Sequence, residues 1–233
     1  MIQTVFKRVE KKYLLTEEQF NNLIKECGNN ITADEFGLHT VCNIYYDTNN
    51  YELVRKSIEK PIYKEKVRLR SYDTPTGNTK VYLELKKKYD GIVYKRRITL
   101  PLNEAKKYLQ NKKIEKDDQI SREINYVLSN YDLEPKVYLA YDRCAYYGDE
   151  NSDLRITFDT NIRSRIEDVD LSLGDAGELL FNERYYLMEV KTAKSLPIWF
   201  VKILDNLNIY PTSFSKYGNV YKKMLKKGMI RYV

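Results

Sequence analysis

One histidine, three cysteines and one tryptophan are all that these 233 residues offer of those types, and each shortage closes off a class of chemistry. Cys27, Cys42 and Cys144 are odd in number and widely separated. No cysteine pair has zinc spacing and His39 is the only imidazole, so a structural zinc site finds no ligand set. The three thiols read as reduced cysteines of a cytoplasmic protein. His39 also has no partner for nucleophilic or acid–base work, and a loop or surface position is its simplest role. Glycine cradles for nucleotides are missing too, because neither GxxxxGK[ST] nor GxGxxG occurs.

Long apolar runs are absent as well. The best window, around Leu196 to Leu204, is short and contains Lys202, well below the roughly 20 apolar residues that span a bilayer. The first residues, MIQTVFKRVEKKYLL, carry charge where a signal peptide needs its apolar stretch, so neither a leader nor a transmembrane segment is expected. With no low-complexity linker and no fixed-period repeat, the expectation is a single domain over residues 1–233.

What the chain does have is charge and alternation. Hydrophobic residues at 42% and charged residues at 31% describe a folded protein, and 40 Lys and Arg against 33 Asp and Glu leave a formal charge of +7. That excess favours an anionic partner, with nucleic acid, phosphate esters and anionic lipid all eligible. Period-two patterning predicts strands at Val5–Leu15, Val41–Asp47, Tyr63–Tyr72, Lys80–Tyr89, Ile92–Leu100, Lys136–Tyr147, Asp153–Asp159 and Tyr185–Lys191. Thr16-Glu-Glu-Gln19 is a capping box that opens an amphipathic helix, and Asp90-Gly91 is a hairpin signal. Further helices are expected at Asn50–Ile58, Asn103–Asn111 and Gln119–Tyr131, with two more around Tyr210-Pro211. This is an α+β pattern: an eight-stranded antiparallel barrel or strongly curved sheet with helices around it.

The strand faces carry the functional argument. Residues i and i+2 share a face about 6.7 Å apart. Lys66, Arg68 and Arg70 therefore share one side of their strand, and Val67 and Leu69 the other. The same division sets Glu84, Lys86 and Lys88 against Leu83 and Leu85, and Arg155 against Ile156. Glu189 and Lys191 oppose Met188 and Val190, Lys95 pairs with Arg97, and Tyr141 with Arg143. A half-exposed sheet explains any one such strand, but surface sheets intersperse both signs because like charges opposite one another repel. Faces so rich in cations need an anion against them. If helices cover the apolar faces from outside, the cations converge on a hydrated bore suited to a linear polyanion; Arg meets phosphate with a planar fork and Lys with a point charge. Glu10 and Glu189 lie on these faces and suit a hard divalent ion; Glu84 and Asp159 more simply balance a neighbouring Arg. Phosphoryl transfer rests on positioning and charge neutralisation, so such a site needs no nucleophilic side chain.

Arg8-Val-Glu-Lys-Lys12-Tyr13, Ile44-Tyr-Tyr-Asp-Thr48, Lys66-Val-Arg-Leu-Arg70, Leu83-Glu-Leu-Lys86, Lys95-Arg-Arg97, Tyr141-Asp-Arg143, Arg155-Ile-Thr-Phe-Asp159, Met188-Glu-Val-Lys191 and Ser213-Phe-Ser-Lys-Tyr217 follow in that order. Together they resemble the VTC domain, the polyphosphate polymerase branch of the triphosphate tunnel metalloenzyme (CYTH-like) superfamily. The resemblance implies an eight-stranded antiparallel tunnel in which the γ-phosphate of ATP is added to inorganic polyphosphate, releasing ADP. It further implies that Lys12, Arg68, Arg70, Lys86, Arg143, Arg155, Lys191 and Lys216 hold the phosphates. Arg8, Lys66, Lys88, Lys95, Arg97, Tyr141 and Ser215 line the same path. Glu189, with Glu10 as a second candidate, would hold Mn²⁺ or Mg²⁺, and Lys216, on the C-terminal helix, would close one mouth.

One departure bears on the reaction. Hydrolytic members of the superfamily carry Glu-x-Glu-x-Lys on the first strand, and here the first position is Arg8. One metal carboxylate is exchanged for a cation, which favours the polymerase over a two-metal triphosphatase. An inorganic triphosphatase or polyphosphate hydrolase is the alternative enzyme. A polyphosphate-binding module or a nucleic-acid binder, the latter on the strength of 22 tyrosines, is the alternative of another class. Nucleic acid is the less expected ligand, because a bore lined at strand spacing is narrow for bases. The basic run Lys222-Lys223-Met-Leu-Lys226-Lys227 reads as a solvated helix face rather than a lipid anchor. The phosphate-sensing and membrane domains attached to eukaryotic relatives are not in this sequence, so a stand-alone role or separate membrane or accessory partners are expected.

Overall fold

Two-faced strands need two different surroundings, and the chain supplies them with one antiparallel sheet and amphipathic helices. The computed structural model describes residues 9–148, 153–193 and 195–231. Its strands are β1 (Val9–Thr16), β2 (Ile31–Ala33), β3 (His39–Asp47), β4 (Tyr63–Tyr72), β5 (Lys80–Tyr89), β6 (Ile92–Pro101), β7 (Glu134–Gly148), β8 (Arg155–Arg165), β9 (Glu178–Leu179) and β10 (Tyr185–Thr192). Its α-helices are α1 (Glu17–Cys27), α2 (Glu52–Ile58), α3 (Leu102–Asn111), α4 (Gln119–Asn130), α5 (Ile198–Asn206) and α6 (Lys216–Lys226). None of the helices among the described residues is long and apolar enough to cross a membrane.

Eight strands form a continuous path in the order β1-β10-β8-β7-β3-β4-β5-β6, with β2 added on β7 and β9 on β8. The expected eight strands are therefore present, and two short ones are added that period-two patterning cannot detect in two or three residues. Of the expected barrel or curved sheet the chain forms an open sheet, since among the described residues the path ends at β1 and at β6. Both end strands carry charge, Glu10, Lys11 and Lys12 on one and Lys95, Arg96 and Arg97 on the other, which guards an open edge against further pairing.

The chain divides into two compact units. The first comprises residues up to His39 with Tyr141–Ile162 and Phe181–Phe214; the second comprises Thr40–Ala140, Arg163–Leu180 and the residues from Ser215. Strands β7 and β8 run from one into the other. The first unit buries Tyr13, Leu15, Ile156, Phe158, Met188 and Val190, the apolar sides of β1, β8 and β10, with Leu23 of α1 and Phe200 and Leu204 of α5. Phe20 stacks on Tyr186 at 3.9 Å and meets Phe158 edge-on at 4.9 Å. Thr16 and Gln19 form both halves of the capping box that sets the start of α1.

The second unit buries Val67, Leu69, Val81, Leu83, Leu85 and Leu100 against Ala105 and Leu109 of α3 and Ile124, Val127 and Leu128 of α4. On that side Glu123 of α4 takes Lys87 at 2.5 Å and Arg96 at 3.0 Å, so the outward cations of β5 and β6 are balanced by a helix. The β5–β6 hairpin turns on Asp90 (φ 42°) and Gly91 (φ 80°), both left-handed as a two-residue primed turn requires.

Asp47, fully buried at the end of β3, joins three elements of this unit. Oδ1 accepts from the Thr48 N–H at 2.9 Å and the Leu53 N–H at 2.8 Å; Oδ2 accepts from the Val54 N–H at 3.0 Å and the Tyr217 hydroxyl at 2.9 Å. It thereby caps α2 in place of Tyr51, whose left-handed conformation (φ 60°) brings no capping side chain. Burial pushes the Asp47 carboxyl up, and those four donors pull the other way. Asp47→Ala leaves buried donors unpaired and is expected to lower the unfolding free energy by about 2–4 kcal/mol in urea denaturation, with a smaller loss for Tyr217→Phe.

Candidate anion-binding site

In the second unit the strand register sets the cations of β4, β5 and β6 side by side. Lys66 lies opposite Lys86 and Lys86 opposite Lys95; Arg68 lies opposite Glu84 and Glu84 opposite Arg97; Lys64 lies opposite Lys88. Unbalanced rows of this kind destabilise a sheet, since like charges opposite one another repel. The balance here is Glu84, whose side chain is 1% exposed. Its Oε2 receives Arg68 Nε and Nη2, both at 2.7 Å, with Arg70 Nε at 3.9 Å. Its Oε1 receives Lys95 Nζ at 2.7 Å and Arg97 Nη2 at 2.5 Å. Burial by itself would raise the Glu84 carboxyl, but Arg68, Arg70 and Lys95 outweigh it and hold it well below the usual carboxylate range.

Neutral groups finish the orientation. Arg68 Nη1 donates to the Tyr45 hydroxyl at 3.3 Å, and Arg70 Nε donates to Asn43 Oδ1 at 2.9 Å. Asn43 in turn donates to the Leu139 carbonyl, and Arg97 lies over the Tyr82 ring at 4.6 Å. At the far end of the same face burial, then Lys88 and Lys60, push the Lys64 ammonium down. Helix α6 meets this face at its N-terminus. Ser215 Oγ accepts from the Gly218 N–H as the cap and from Lys66 Nζ at 3.0 Å, Tyr217 stacks on Tyr45 at 4.6 Å, and Lys216 is buried beside them.

In the first unit the polar sides of β1, β10 and β8 form two rows: Glu10, Lys191, Arg155 and Lys12, Glu189, Thr157. Lys12 Nζ lies 3.2 Å from Glu189 and 3.8 Å from Glu10, and also donates to the Phe214 carbonyl at 3.2 Å. Lys191 lies 3.7 Å from Glu189, and the exposed Arg155 sits over the Tyr147 ring. On β7, Arg143 grips the fully buried Asp159 with both arms of its fork, at 2.6 and 2.8 Å, and lies near the Tyr141 ring.

Glu84 and Asp159 are thus ion-pair anchors. Glu189 lies opposite Thr157, whose hydroxyl is buried without a hydrogen-bond partner, while Glu10 stands in the neighbouring row and shares Lys12 with Glu189. Among the described residues there is no cluster of three or more His, Cys, Asp or Glu that could enclose a metal. A carboxylate with a free hydroxyl opposite it, and a second carboxylate in the next row, are oxygen donors of the kind a hard ion takes when phosphate oxygens complete its shell, the habit of Mg²⁺.

The candidate residues therefore divide. Lys66, Arg68, Arg70, Lys86, Lys88, Lys95, Arg97, Ser215 and Lys216 belong to the second unit, and Glu10, Lys12, Tyr141, Arg143, Arg155, Glu189 and Lys191 to the first. Arg8 lies outside the described residues. Asn43, Tyr45 and Tyr82 are not among the site residues expected from sequence. Their signal was available, because Asn43, Tyr45 and Asp47 alternate on one side of β3, but uncharged residues do not announce that they orient cations.

The VTC domain family model matches residues 7–225 of this chain. None of the curated proteins searched matches it. Among solved structures it is similar to a candidate adenylate cyclase from Bacillus halodurans (18% identity, TM-score 0.57, covering 89% of this chain and 93% of that one). It is also similar to a candidate adenylyl cyclase from Hippeastrum that reveals a dominant triphosphatase activity (16% identity, TM-score 0.55, 95% and 96%). A third, a candidate adenylate cyclase from Vibrio parahaemolyticus, has 14% identity and a TM-score of 0.51 over 96% and 99%. At these identities the likeness is one of fold.

Glu84→Gln leaves four cations around a neutral amide and is expected to cost about 3–5 kcal/mol of stability in chemical denaturation at pH 7. Because the folded carboxyl is held below its unfolded value of about 4.3, its contribution is complete above that pH. It fades as pH falls further, and the Glu84→Gln variant should lack this acid-linked loss.

Proposed function

Because this chain belongs to the VTC domain family, we propose that it is a polyphosphate polymerase that transfers the γ-phosphate of ATP to a growing inorganic polyphosphate chain. The observation that carries the reading is the run of cations along the polar sides of β4, β5, β6, β8 and β10, ordered by buried carboxylates and neutral acceptors. In the transfer, a terminal phosphate oxygen of the polymer attacks the γ-phosphorus, the bond from that phosphorus to the β-bridging oxygen breaks, and ADP leaves. Charge spreads over the transferred group's oxygens, so the protein's work is alignment and neutralisation.

Arg68, Arg70, Lys86 and Lys216 would hold phosphates from the second unit, with Lys66, Lys88, Lys95, Arg97 and Ser215 beside them. Lys12, Arg143, Arg155 and Lys191 would do so from the first, with Tyr141 beside them; Arg8, outside the described residues, is a further candidate by sequence. Glu189, with Glu10, would hold Mn²⁺ or Mg²⁺, which supplies charge neutralisation at phosphate oxygens. Ion pairs already fix Arg68 and Arg143, so little side-chain order remains to be lost on binding.

The second reading is an inorganic triphosphatase, favoured by the activity of the Hippeastrum protein of the same fold. Arg8, standing where hydrolytic members have a metal carboxylate, favours transfer. Incubation with ATP and Mn²⁺ separates the two: long polymer with ADP is the expected product, and orthophosphate without polymer would establish the hydrolase. Arg155→Ala, at an exposed position, and Glu189→Ala are each expected to lower turnover about 10²–10³-fold without loss of the folded circular dichroism spectrum. Wild-type rates in both variants would dismiss this site. Tight tripolyphosphate binding with no turnover would leave a binding module.

A further inference from the structure

Of the four cations that touch Glu84, three are arginines, which stay charged at any pH a protein survives, and one is Lys95. Lys95 shares Oε1 with Arg97, lies opposite Lys86 in the register, and faces Arg68 and Arg70 across the carboxylate; Lys66 follows one strand further along the row. Tyr45 and Tyr82 engage the arginines, and Glu84 is the acid that touches Lys95. An ammonium so placed has one partner holding its proton and several neighbours repelling it.

We propose that Glu84 is a positioning residue that keeps Lys95 as the proton-exchanging cation of this face, so that a polyphosphate binds there together with a proton. The inference rests on the polyphosphate reading and assigns the linkage to one pair of residues. The Lys95 side chain as a whole is 43% exposed, but its ammonium end lies 2.7 Å from the buried Glu84 carboxylate; burial at that end first, with repulsion from Arg97 and Arg68, outweighs the attraction of Glu84 and brings Lys95 down to about 8. Lys95 is therefore cationic at pH 7 and largely neutral at pH 9 while the face is empty, and a row of phosphate oxygens restores its proton. Without Glu84, burial and the neighbouring cations act unopposed, and the proton leaves at lower pH.

Calorimetric titration with inorganic tripolyphosphate, at pH 7, 8 and 9 and in buffers of different ionisation enthalpy, tests this. Wild type is expected to bind about tenfold more weakly at pH 9 than at pH 7 and to take up a proton on binding near pH 8.5. Lys95→Arg, which cannot release its proton, should bind at both pH values without that drop or that uptake, which also subtracts the ligand's own titration. Glu84→Gln should show the drop at least one pH unit lower; if it does not fold, Glu84→Asp replaces it with a smaller shift in the same direction. A Lys95→Arg profile like that of wild type, or a folded Glu84 variant with an unmoved midpoint, overturns the inference while leaving polyphosphate binding intact. Absence of tripolyphosphate binding by wild type at every pH sinks the polyphosphate reading and this inference with it.

Discussion

A carboxylate in a dry place, facing more positive charge than it can neutralise, is the constraint around which the second unit is arranged. Glu84 draws Arg68, Arg70, Lys95 and Arg97 from two neighbouring strands onto two oxygens. The register that brings them together also lines up Lys66, Lys86 and Lys95. One buried anion makes the cluster tolerable and leaves it net positive, the condition a polyanion site needs. An acid for every cation would give a stable sheet with no appetite for phosphate.

Neutral groups then determine direction. Asn43 and Tyr45 of β3, Tyr82 of β5 and Ser215 at the start of α6 each occupy one side of a cation. Asp47 holds β3, α2 and α6 to a common point through four hydrogen bonds. In the first unit Asp159 does for Arg143 what Glu84 does for its neighbours, while Glu10 and Glu189 share Lys12. A buried carboxylate with a full set of donors orders cations; one with an ammonium and an orphaned hydroxyl beside it is the candidate for holding a hard ion.

Much of this was legible beforehand. The ranges Tyr63–Tyr72 and Lys80–Tyr89 coincide with β4 and β5, and the Thr16–Gln19 capping box opens α1 as its residues require. Alternation predicts this strand only as far as Asp159, because Asn161 and the charged residues after it break the pattern, whereas β8 continues to Arg165. β2 and β9 carry no such signal, because strands of three and two residues have no period to detect.

Alternation, set by the backbone's two-residue repeat, decided which side of each strand carries charge, and so decided the two cores and the cationic faces. That was already written in the order of residues. Strand order, register and the open ends of the sheet were not, because they depend on pairings between segments far apart in sequence. The same holds for the roles of the acids: Glu84, Asp159 and Glu189 look alike in a string of letters. Only their surroundings separate an anchor for arginines from a candidate metal ligand, since what fixes a carboxylate's behaviour is its burial and the charges that folding brings within a few ångströms of it.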